Sequence, residues 1–257
     1  MEKGISNMVK YIMRFMPKTT KINVDDFIAS IDLSRIETPT FTEQIKEFEE
    51  NTKLSNLEIL KEYTSPGPES ALINGVLRNV FVYEVTGQVT EEKRIKYRKK
   101  AEEISELIHT FPKTNSPFFT YRGTDIKEFS KYGIYTIDEL EALKGKYLYE
   151  EGFTSTSLSR DKSRFNKETL TGIKNIEVRY LIPQNSNDGI PLLGNNYSWY
   201  PEEEEYLLDC SSLSKVIDVK RENNKGYLTV ALIPKQIWNV VEDNYSNTNN
   251  EESAKTI

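Results

Sequence analysis

Cysteine and histidine are nearly absent from this 257-residue sequence, which holds only Cys210 and His109. A lone cysteine excludes a disulfide within the chain, and one residue of each kind excludes a His/Cys zinc site built by a single chain. Long apolar runs are missing too, so no transmembrane segment is expected. There is no basic excess either: 34 Lys and Arg stand against 40 Asp and Glu, a net charge of -6. Neutralising a phosphate backbone takes a basic face, so DNA binding is not expected. The N-terminus has neither an uninterrupted apolar stretch nor a small-residue cleavage site, so no signal peptide is expected.

What is present reads as helices followed by strands. Met8, Tyr11, Ile12, Phe15 and Met16 recur at helical spacing with Lys3, Lys10 and Arg14 between them, and Pro17 ends the pattern. This short basic helix is expected to pack on its own domain, with weak membrane-surface contact as the alternative role. Apolar residues three and four apart over 24–62 predict two or three more helices, and the SPGP stretch at 65–68 breaks them. A helix restarting near Glu69 would turn Leu72, Ile73, Val76 and Leu77 inward and project Asn74 and Arg78 together, being four residues apart. Residues 91–111 place Tyr97, Ala101, Ile104, Ile108 and Phe111 on one stripe with charge opposite.

After Pro112 the texture turns to short β-rich segments, at 118–122, 176–182, 204–209, 214–221 and 227–233, the last two flanking a hairpin turn at ENNKG. Helices first and strands after predict an α+β fold. The expected organisation is an N-terminal helical extension over 1–50, a catalytic domain over 51–240 with a helical part to 111 and a β-rich core from 112, and a disordered polar tail over 241–257.

Three features of the β-rich half bear chemistry. Arg122 ends the strand FFTYRGT and would meet a phosphate bidentately at a strand edge; alone it also reads as a surface arginine. The Ser155-Thr156-Ser157 triplet lies in an expected strand, where alternation puts Ser155 and Ser157 on one face and Thr156 on the other. Four glutamates, Glu202 to Glu205, run into the apolar strand YLLD, and alternation would point Glu203 and Glu205 into one pocket. Two such carboxylates repel, so they call for a ligand or cationic neighbours; a solvated acidic run is the bland alternative. Cleaving the nicotinamide-ribose bond of NAD suits this set. It needs no metal or side-chain nucleophile, only a cation for the diphosphate, a carboxylate for the developing sugar cation, a hydroxyl to orient it and a group for the incoming acceptor.

The pattern resembles the mono-ADP-ribosyltransferases of the arginine-serine-glutamate class, especially C3-like and iota-like bacterial toxins and effectors, over roughly residues 55–235. Tyr121-Arg122, Phe153-Thr154-Ser155-Thr156-Ser157 and the Glu203/Glu205 pair carry the likeness. It implies two packed, mainly antiparallel β-sheets forming an NAD cleft behind a helical lobe. It implies NAD as substrate, without a metal. Arg122, Arg78, Asn74, Ser155, Thr156, Phe165 and Glu205 would bind it, with Arg122 and Arg78 on the diphosphate, Phe165 on the nicotinamide side and Ser155 orienting Glu205. Glu205 would stabilise the ribosyl cation, Glu203 would handle the acceptor, and Tyr200 and Trp199 would recognise the target, with Glu202 and Glu204 as bystanders. In the family a glutamate at the Glu203 position accompanies arginine acceptors, so a target protein with an accessible arginine is expected. The alternatives are an NAD glycohydrolase or a transferase for another side chain or a nucleic acid. Without a signal peptide, delivery by a dedicated system to a host cytosol is expected, and otherwise a cytoplasmic location.

Overall fold

The computed structural model describes residues 23–36, 38–80, 83–84, 87–88, 90–165, 168–169 and 172–240. The expected helix at 1–16 and the expected tail from 241 lie outside them. The chain divides into two units, one spanning 32–232 and one drawing on the residues before and after it. In the latter, α1 (Val24–Ala29) starts at Asn23, whose side chain accepts the Asp25 and Asp26 amides at 2.8 and 3.4 Å. Lys235–Val240 forms a 3-10 turn. No helix among the described residues is long and apolar enough to cross a membrane.

The larger unit opens with α2 (Thr42–Asn51), α3 (Leu54–Tyr63), α4 (Glu69–Leu77) and α5 (Glu91–Thr110). The SPGP stretch separates α3 from α4, as its helix-breaking residues require. Thr90 caps α5, accepting the Lys93 amide at 3.4 Å, with Glu91 and Glu92 in the first turn and His109 in the last, both matched to the helix dipole. Phe111, forced into extended backbone by Pro112, ends it. Its buried stripe of Tyr97, Ala101, Ile104 and Ile108 matches the sequence pattern.

The strands are β1 (Tyr83–Glu84), β2 (Gly87–Gln88), β3 (Phe118–Thr124), β4 (Tyr147–Glu150), β5 (Thr154–Ser157), β6 (Glu168–Thr169), β7 (Gly172–Ile173), β8 (Ile176–Ile182), β9 (Gly189–Pro191), β10 (Glu205–Leu208), β11 (Ser212–Glu222) and β12 (Lys225–Ile233). β1 with β2 and β6 with β7 form small pairs, and the rest make an eight-stranded sheet in the order β4-β11-β12-β8-β3-β5-β10-β9. Its pairings are antiparallel except for β8 with β12. The turn from β11 to β12 uses Asn223 and Asn224 at φ 47 and 60, the left-handed pair that a two-residue hairpin requires.

The two expected sheets are joined into one at a narrow waist. β3 pairs with β8 through seven residues and with β5 through a single pair, Tyr121 opposite Ser157. Two cores flank the waist. One gathers the helices against β3, β9 and β10 through Phe118, Ile190, Tyr206 and Leu207; the other packs Phe129, Ile134, Leu140 and Leu143 on β8, β11 and β12. Phe41 and Phe48 belong to the first core, so part of the expected 1–50 extension is built into this unit. Phe118 meets Phe41 at 5.6 Å and Tyr206 at 5.2 Å, edge to face. Each such contact adds about 0.5–1.5 kcal/mol beyond burial, which ties the strands bearing Arg122 and Glu205 to the helical lobe.

Candidate active site

The four glutamates do not run into the strand as one extended segment. Pro201–Glu203 is a 3-10 turn, Glu204 is left-handed at φ 49, and the strand begins at Glu205. Strand alternation therefore cannot explain why Glu203 and Glu205 act on each other; the turn does it. Backbone bonds hold the turn, from the Leu158 amide to the Glu204 carbonyl at 2.9 Å and from the Leu192 amide to the Glu205 carbonyl at 2.8 Å.

Burial pushes the Glu205 carboxyl above the ordinary glutamate range; a hydrogen bond from the Ser155 side chain pulls it back, the Glu203 charge pushes it up, and Arg164 and Arg122 draw it down. The cationic neighbours that the sequence called for are thus present. Glu203 accepts a bond from Arg164 Nη2 at 2.8 Å. Glu204 is no bystander: Lys162 Nζ reaches its carboxylate at 2.7 Å and the Glu202 carbonyl at 2.5 Å.

Three of the four hydroxyls of β5, those of Ser155, Thr156 and Ser157, divide their work. Ser155 is exposed and meets Glu205. Thr156, expected to contact NAD, is buried and donates to the Tyr206 carbonyl at 2.6 Å, which ties β5 to β10. Ser157 is buried and donates to the Glu203 carbonyl at 3.1 Å, holding the glutamate turn.

Arg122 sits where the β3–β5 ladder stops. Its Nη1 crosses the opening to the Ser155 carbonyl at 3.0 Å, and its Nη2 reaches both oxygens of Glu128 at 3.0 and 3.3 Å. Gly123 explains the tyrosine-arginine-glycine sequence. Its amide donates to the Ser163 carbonyl at 2.6 Å, and a Cβ there would lie 2.4 Å from the Phe165 nitrogen and 2.6 Å from the Arg164 carbonyl carbon. Only glycine lets the 163–165 loop cross β3 beside Arg122.

Asn74 and Arg78 are brought together, as their spacing predicts, with both side chains against Gly152. Asn74 fixes the chain on either side of it, its Oδ1 accepting the Phe153 amide at 2.8 Å and its Nδ2 donating to the Tyr63 hydroxyl at 3.0 Å. Arg78 Nε donates to Glu150 at 2.7 Å. The Phe165 ring packs on Tyr227 at 5.5 Å with Lys225 over it. Trp199 and Tyr200 are exposed immediately before the glutamate turn, Trp199 anchored by its amide to Thr64 Oγ1 at 3.1 Å.

Sequence reading missed Tyr63, Glu128, Lys162 and Arg164. The basic run SRDKSR at 159–164, in a chain that also carries the acidic run at 202–205, was a usable signal for the last two; nothing local marks Glu128, and Tyr63 reads as an ordinary core aromatic. Among the described residues no cluster of His, Cys, Asp and Glu is arranged to hold a metal ion.

A family model described as ADP-ribosyltransferase exoenzyme matches residues 41–235. Among solved structures, C3stau2 from S. aureus, determined with NAD, has a TM-score of 0.55 and 17% identity over 85% of this chain and 100% of its own. Plx2a, an ADP-ribosyltransferase toxin from Paenibacillus larvae, has a TM-score of 0.53 and 20% identity over 79% of this chain and 99% of its own. The ADP-ribosyltransferase Vis, in complex with agmatine, has a TM-score of 0.52 and 17% identity over 77% and 87%. At such identities the structures speak for the fold. A comparison with curated proteins gave no match.

Proposed function

We propose, from the premise that this chain belongs to the ADP-ribosyltransferase exoenzyme family, that it transfers ADP-ribose from NAD to an arginine of a target protein. The chain is an NAD-dependent transferase; the acceptor and the residue roles are the proposal. One observation carries the acceptor: the Glu203 carboxylate already holds a guanidinium, that of Arg164, at 2.8 Å. A carboxylate presented to a planar fork of donors favours guanidinium over an amide or hydroxyl. The relative solved with agmatine, itself a guanidine, is in keeping with this.

Arg122 and Arg78 are the cations for the NAD diphosphate. Glu205 receives the 2′-hydroxyl of the nicotinamide ribose and faces the positive charge that grows on the sugar as the bond to nicotinamide breaks. That bond's electron pair neutralises the pyridinium, so nicotinamide leaves uncharged. Ser155 holds Glu205 in place and favours its ionised form, against the larger upward push of burial. Glu203 orients the acceptor guanidinium and takes its proton as the new carbon-nitrogen bond forms. Tyr200 and Trp199, exposed beside this turn, are the surface for the target, Phe165 is the candidate aromatic for the nicotinamide side, on the resemblance alone, and Asn74 positions the entry to β5. Relatives named as toxins and exoenzymes favour delivery to a host cell as the setting.

The test is labelling of host lysate with tagged NAD, followed by site mapping. Label on protein arginine is expected. Label on asparagine, another side chain or nucleic acid would overturn the acceptor, and nicotinamide release with no transfer would make the chain a glycohydrolase.

A further inference from the structure

Arg164 is the guanidinium that Glu203 holds, and its placement is built. Lys162 grips the glutamate turn through the Glu202 carbonyl and the Glu204 carboxylate. Two residues on, Arg164 is held at φ 62, a left-handed conformation that a non-glycine residue adopts only at a cost in strain. The backbone there cannot relax toward β3, because it is packed on Gly123 and bonded to it through the Ser163 carbonyl. Its side chain is nonetheless more than half exposed, so the ion pair is not a burial requirement.

We infer that Arg164 is an acceptor in its own right, modified in cis by the ADP-ribose that this site transfers. The inference rests on the arginine-acceptor reading of Glu203. An Arg164 terminal nitrogen attacks C1′ of the nicotinamide ribose, and the C1′–nicotinamide bond breaks with its electron pair returning to the pyridine ring. The proton lost from the guanidinium passes to Glu203 and on to solvent. NAD is the sole co-reactant, and the products are ADP-ribosyl-Arg164, nicotinamide and a proton. Being tethered beside Glu203, Arg164 competes with any external guanidine at a high effective concentration. Once modified, the loop carries a bulky dianion at the acceptor position, which makes the reaction self-limiting.

The experiment incubates the full chain with tagged NAD alone, and in parallel with NAD and agmatine, followed by peptide mapping. Expected are a single ADP-ribose on Arg164, a fractional rate of self-labelling independent of enzyme concentration, and suppression of that rate by agmatine. Arg164→Lys should lose the self-label while modifying agmatine at a lower half-saturating concentration, since the internal competitor is gone. That gain also shows that the variant is folded. Agmatine modified by the unaltered chain without label on Arg164, label elsewhere, or a rate rising with enzyme concentration would overturn the inference and leave the arginine-acceptor reading standing. Nicotinamide release with neither agmatine nor Arg164 labelled would defeat both.

Discussion

The two edges of β3 are built to opposite ends. Along β8 the strand is zipped through seven pairs, and both partners carry buried side chains into the cores. Along β5 it touches at Tyr121 and Ser157 and then parts. Where the ladder stops, side chains replace backbone bonds: Arg122 reaches the Ser155 carbonyl, and Ser155 bonds Glu205 on the next strand. In the proposed reading NAD lies along this open edge, and the zipped edge holds the charged groups in place, as preorganised electrostatics requires.

If the open edge carries the chemistry, Glu205→Gln should show the largest effect, a fall in nicotinamide release on the order of 10²–10³-fold, the scale for losing one preorganised group. Its stability should move the other way. Burial raises the folded-state pKa of Glu205, so the ionised carboxylate weakens the fold above that pKa, and the cost fades as pH falls through it. Thermal melts should find Glu205→Gln more stable than the unaltered chain at neutral pH, with the gap closing in acid.

Gly123→Ala probes the crossing loop. Backbone atoms 2.4–2.6 Å from the new methyl must move, at a cost of about 1–3 kcal/mol by the scale for overpacking. Urea melts should register that loss, and transfer should fall further than the unfolded fraction accounts for, because Arg164 and Phe165 shift. A smaller effect is expected from Ser155→Ala. It removes a bond that favours the ionised form of Glu205, so the acid limb of the kcat profile should move to higher pH. Smallest is Glu128→Gln: a half-exposed carboxylate on Arg122 competes weakly with a diphosphate, so KM for NAD should fall by a few-fold, about the 0–1 kcal/mol of such pairs.

The zipped part of the molecule was legible in the sequence because its elements are periodic. The α5 stripe, the β-rich segment of β8 and the β11–β12 hairpin follow from residues near one another in the chain. Short edge strands such as β4 and β9, and the 3-10 turns at 126–132 and 137–143, carry too few residues to set a period. The open edge was legible only as chemistry. Arg122, Ser155, Glu203 and Glu205 could be named, while their geometry could not, since it depends on one left-handed residue, Glu204, and on partners brought from elsewhere. Glu128 on Arg122 and Arg164 on Glu203 are such partners. The resemblance names Thr156 among the NAD-binding residues, and its hydroxyl is committed to the Tyr206 carbonyl, a partner that no local pattern announces.

The division of labour between the two glutamates is tested most directly in Glu203→Gln, by measuring nicotinamide release and agmatine modification in the same reaction. Release should persist while transfer to the guanidine is lost. Equal loss of both would contradict the separate roles of Glu203 and Glu205.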